Sequence, residues 1–139
     1  MTGSPVRRPL GALVLLAAHA LGAAGAATAQ PAKPEYLPYA EFASEDTAAA
    51  NAVKRGYNAT VLRYNQSLYD YHLVLDQHDR LVDLYGSGTA TSGERQKARA
   101  QATTLRARLG ALRREVTSRA AAVDQAARRA AAAGVDLRP

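Results

Sequence analysis

In YNATVLRYNQSLYDYHLVLDQHDRLVDLY, running from Tyr57 to Tyr85, every seventh residue carries a ring: Tyr57, Tyr64, Tyr71, His78 and Tyr85. Val61, Leu68, Leu75 and Val82 fall between them, so the spacing alternates four and three along the whole stretch. Such a pattern returns a side chain to one partner every 3.5 residues, which suits a helix packed along a stripe against another helix. A strand repeats every two residues and cannot keep these side chains on one face. The rings are therefore a core stripe first. Tyrosine suits a thin interface, where the ring packs while the phenol oxygen stays hydrated at the edge.

A second run has the same alternation: Ala98, Ala102, Leu105, Leu109, Leu112, Val116, Arg119, Val123, Ala126 and Ala130. If the chain folds back near residue 90, paired positions sum to about 180. Leu75 then meets Leu105, Leu68 meets Leu112, Tyr64 meets Val116 and Tyr57 meets Val123, with no insertion in either seam. The expected fold class is all-α: two long helices forming an antiparallel coiled-coil hairpin after a signal peptide and a Pro-rich spacer. One stripe per helix makes a thin core, so dimerisation to a four-helix bundle is expected as well.

The punctuation fits this layout. Gln30 to Pro38 holds three prolines in nine residues, and residues 30–43 read as an extended spacer with little fixed structure. Ser44, followed by Glu45 and Asp46, reads as a helix start, giving a first helix over about 44–85. GSGTATSG, residues 86–93, is the loop, and Thr91 to Glu94 has capping-box spacing for a second helix over about 94–133. Gly134 is placed to end that helix, leaving a tail at 135–139. Gly56 and Gly110 lie inside the helices, where glycine costs about 1 kcal/mol, and would mark points of close helix approach.

The first 29 residues read as a cleaved secretory signal. Arg7 and Arg8 precede the apolar run Leu10 to Leu21, and Ala27-Thr28-Ala29 is an A-x-A cleavage pattern. The run falls short of the ~20 residues a spanning helix needs, so no transmembrane span is expected after cleavage. A periplasmic or secreted bacterial location follows. The chain has no cysteine, which removes disulfides, thiolate metal sites and thiol nucleophiles. In outline the layout resembles small exported helical hairpins, including the tentacles of basic periplasmic holdase chaperones. The chain lacks the strands those chaperones need to trimerise.

Charge divides the hairpin. Glu35 to Asp83 carries eight acidic and four basic side chains, and Glu94 to Arg129 carries three acidic and ten basic ones. The halves could satisfy each other, or the basic helix could face an anionic envelope polymer or lipid surface. Its arginines are spread around the helix without interleaved aromatics, and an exported protein rarely meets DNA, so nucleic acid is not expected.

Leu62, Tyr69 and Leu73 are apolar residues outside the seam and form the candidate partner-binding patch, for a protein partner or a second copy. His72, Asp76 and Asp79, with His78 nearby on the seam, have the i, i+4, i+7 spacing of a metal cluster whose shell a second chain would complete. The same residues equally suit a solvated polar face. His78 on the seam is also a candidate pH-sensitive layer, and Arg119 a snorkelling side chain. Asn58-Ala59-Thr60 and Asn65-Gln66-Ser67 match glycosylation sequons. No nucleophile elbow, phosphate loop or dinucleotide fingerprint is present, so no catalytic residue and no cofactor are expected. The expected function is an exported, non-enzymatic interaction or scaffold protein of the bacterial cell envelope. The alternative is a ligand- or metal-binding helical bundle in the periplasm.

Overall fold

The computed structural model describes residues 35–139. The signal segment 1–29 and the first part of the spacer lie outside the described residues. Two helices account for most of the rest: α1, Ala48–Gly86, and α2, Ser92–Ala132. They pack against each other. Their connection is only residues 87–91, and long helices that pack through so short a link must run antiparallel. Ser67 on α1 donates to Glu115 on α2 at 3.0 Å, close to the expected pairing about residue 90. Among the described residues no helix is long and apolar enough to cross a membrane.

The helix ends follow local chemistry. α1 begins at Ala48, four residues later than the Ser44 start, because Thr47 is its cap: the Thr47 hydroxyl accepts the Ala50 N–H at 3.1 Å. Asp46 is engaged elsewhere. Its carboxylate accepts the Ala43 N–H at 2.8 Å and its own N–H donates to the Ala43 carbonyl, closing a turn that stops the helix from extending backward. α2 begins with the expected capping box, Thr91 hydroxyl to Glu94 N–H and Glu94 carboxylate to Thr91 N–H. The Thr91 hydroxyl, donating to the Glu94 carboxylate at 2.7 Å, and then the Thr91 N–H hold the Glu94 carboxyl below its usual range. α2 ends in a Schellman arrangement. Gly134 sits at φ +69°, and the Gly134 and Val135 N–H groups donate to Ala131 and Ala130 carbonyls.

The centre of the core is Val61, Tyr64 and Leu68 on α1 with Val116 and Val123 on α2, and Tyr57, Tyr71 and Ala120 pack around it. Three rings of the row, Tyr57, Tyr64 and Tyr71, thus serve as packing. Burial pushes the Tyr64 phenol up, and burial together with the Asp124 charge does the same for Tyr57. Towards the loop the seam changes. Val74 is buried there, while Leu75, His78 and Val82 on the expected seam are only half-buried. Gly56 and Gly110 do not mark close approach within the hairpin: Gly56 has open space where a Cβ would stand, and Gly110 meets only the end of Arg114 at 3.8 Å.

Candidate interaction surface

The described part of the spacer, residues 35–43, is extended and is fastened along α1, in contrast to the loose linker expected from its prolines. Asn65 Nδ2 donates to the Leu37 carbonyl and Asn65 Oδ1 accepts the Leu37 N–H, both at 2.9 Å. Asn58 repeats the arrangement on Ala40, at 2.9 and 2.7 Å. Each carboxamide thus replaces the partners that an extended backbone residue lacks outside a sheet.

The two clamps share a register. Three extended residues span roughly 9–10 Å, and seven helical residues rise about 10.5 Å. A strap running antiparallel to α1 therefore meets an asparagine at every third residue. Leu37 packs on the central cluster and Ala40 is buried. Tyr36, Tyr39 and Phe42 follow the same three-residue period on the outward side and stay about half exposed, at 52, 45 and 51%.

Lys54 completes the anchorage. It occupies a buried seam position, and its Nζ donates to the Glu41 carbonyl at 2.8 Å and to Asp46 Oδ2 at 2.7 Å. The Lys54 hydrogen bond, then the Ala43 N–H, hold the Asp46 carboxyl below the ordinary aspartate range. The Glu41 N–H donates to the Arg138 carbonyl at 3.1 Å, so the tail after α2 also touches the strap. Sequence reading missed this element. The signal lay in plain view: Asn58 and Asn65 follow Tyr57 and Tyr64, seven residues apart, beside the seam. Both sequon asparagines already use their amides on the strap.

On the outer side of α1 lie the three residues of the candidate patch. Leu62, Tyr69 and Leu73 are exposed at 45, 59 and 46%. Large apolar side chains this open are absent from α2 among the described residues; the remaining one on the helices is Leu84 of α1. Asn65, Gln66, Tyr69 and Asp70 line a shallow depression in the middle of this face.

The four candidate ligands are not gathered. His72 sits between Tyr36 and Tyr71, with ring centroids 6.4 and 5.7 Å away. His78 lies at the seam's edge, its Nδ1 3.2 Å from Asp79 Oδ1. Asp76 is exposed, and among the described residues no group of three or more His, Asp or Glu side chains is placed to hold a metal. Arg119 lies at the seam's edge, 3.5 Å from Glu115. Lys54–Asp46, Arg119–Glu115 and Arg138–Asp136 form ion pairs and His78 approaches Asp79, and none of these four contacts joins α1 to α2. The opposite charges of the two halves are thus not matched through these pairs.

Comparison with protein-family models, with curated proteins and with solved structures returns no match.

Proposed function

We propose that this chain is an exported, non-enzymatic interaction or scaffold protein of the bacterial cell envelope that binds a protein partner or itself through the outer face of α1. The observation that carries the reading is the open row of Leu62, Tyr69 and Leu73. Leaving three large apolar side chains in water on a thin hairpin forgoes burial the fold needs, and such patches mark interaction sites. The strap supports the same reading. Clamped at residues 37 and 40, it lies along one flank of α1 and adds outward aromatic rings to the apolar surface there. The signal-like pattern of residues 1–29 supports the exported part of the reading.

Two experiments test this. Cell fractionation should place the processed chain outside the cytoplasm, with a new N-terminus at Gln30. Tyr69→Ser combined with Leu73→Ser should abolish association, read by sedimentation and by capture from envelope extract, and leave helicity unchanged. Cytoplasmic retention of the intact chain, or association untouched by the double variant, would sink the proposal.

A further inference from the structure

We infer that the occupant of the outer face of α1 is the same face of a second copy, packed antiparallel about a two-fold axis at Gln66. This rests on the proposed interaction role of that face and names its partner. When two copies of a helix pack antiparallel about a two-fold axis, each longitudinal row of side chains meets its own copy. Three rows line the outer side of α1, and one register serves them all.

In the first row Leu62 meets Tyr69 of the second copy, and Arg55 meets Asp76. The middle row places Leu73 over Ala59, with Gln66 facing itself on the axis. The third brings Arg63 to Asp70, and Leu84 to Ala49. Every exposed large apolar side chain of α1 thereby gains an apolar counterpart, with Leu73 and Leu84 set over alanines. Every one of these charges meets its opposite, twice over by symmetry. Arg55, Arg63, Asp70 and Asp76 are all exposed and form no ion pair within the described residues.

Local shape agrees. Gly56, with nothing near its absent Cβ, lies in the third row beside the small residues that must admit the partner's larger side chains. The shallow depression around Gln66 and Tyr69 falls at the axis. From Ala49 to Leu84 the contact would run for about 53 Å of helix. The outer side of α2, which shows no exposed large apolar side chain among the described residues, offers no comparable surface.

The chain has no cysteine, so single cysteines report the register directly. In the full chain, Gln66→Cys should oxidise readily to a disulfide-linked dimer, and Ala107→Cys on the outer side of α2 should not. Arg63→Asp should weaken dimerisation in sedimentation equilibrium by about tenfold or more, since it sets like charges together. Adding Asp70→Arg should restore it, and circular dichroism on each variant checks that the helices remain. A monomer at every attainable concentration overturns the inference. So does a dimer that Gln66→Cys fails to link, or one that the paired reversal fails to rescue. A monomer that still takes up an envelope protein through Tyr69 would leave the interaction role standing and remove only the second copy.

Discussion

The two halves of the hairpin carry the same heptad pattern and differ in how well they bury it. In the open half Val61, Tyr64 and Leu68 are closed off from water together with Val116 and Val123. In the loop half Leu75, His78 and Val82 occupy equivalent positions and remain half-open, and a shallow groove lined by Gln77, Leu81, Gln101 and Leu105 runs beside them. On one flank the strap contributes to the difference. It closes the flank of the seam that bears Asn58 and Asn65, and among the described residues nothing covers the corresponding flank beyond His72. Two helices bury only the line between them, and the seam's edges stay wet unless a third element closes one side. The third element here is extended chain.

The largest test of that contrast is a matched pair in the core. Leu68→Ala should cost about 3 kcal/mol and Leu75→Ala about 1 kcal/mol, because only the first opens a cavity in a closed site. Urea denaturation of both variants measures this, and equal losses would mean that the halves are equally packed. Leu62→Ala, on the outer face, should change monomer stability by less than about 0.5 kcal/mol.

Next in size are the clamps. Asn65→Ala leaves the Leu37 N–H and carbonyl without partners and should cost about 1–2 kcal/mol. His72→Ala, in the same row at the end of the strap beside Tyr36, and Asp79→Ala, beyond it, should each cost about half a kcal/mol or less. Chymotrypsin, which cuts at aromatic residues, should attack Tyr36, Tyr39 and Phe42 in the Asn65→Ala variant well before α1 is lost. Equal protection in wild type and variant would show that the amides do not hold the strap.

A smaller effect is expected from acid. The folded-state pKa of Asp46 is lowered, so its contribution to stability is present above the ordinary aspartate value and fades as pH falls through the lowered one. Below about pH 4 the strap should begin to loosen while the core of α1 and α2 persists. Amide exchange at Leu37 and Ala40 should therefore accelerate before exchange at Leu68 does. Lys54→Met, which cannot make the ion pair, should remove that pH dependence. If it did not, the turn at residues 43–46 would be held by some other contact.

Much of the hairpin was legible because its causes are local or periodic. The seam rows, the capping box at Thr91 and the Gly134 stop each depend on a few residues at fixed spacing. The helix starts after Thr47 and not at Ser44 because three residues in that stretch, Ser44, Asp46 and Thr47, can cap, and Asp46 is drawn into the turn and towards Lys54. The strap escaped for a different reason. Proline-rich extended chain has no hydrogen bonds of its own to predict, and its order comes from Asn58 and Asn65, lying 18 and 28 residues away in the sequence.

The candidate patch was readable in part. Leu62, Tyr69 and Leu73 fall off the seam by helical geometry alone. That the strap lies along the neighbouring side of α1, on Asn58 and Asn65, needed the assembled chain. Tyr36, Tyr39 and Phe42 point outward only once Leu37 and Ala40 are held inward.

By itself the sequence determined that two helices form, where they meet and which apolar residues are left over, because a side chain's direction on a helix depends only on its position in the repeat. Only the tertiary structure decided that the prolyl segment is part of the fold, that Lys54 is buried within it, and that one half of the seam is dry. Those outcomes depend on backbone groups of one segment meeting side chains of another, and no local spacing encodes such a meeting.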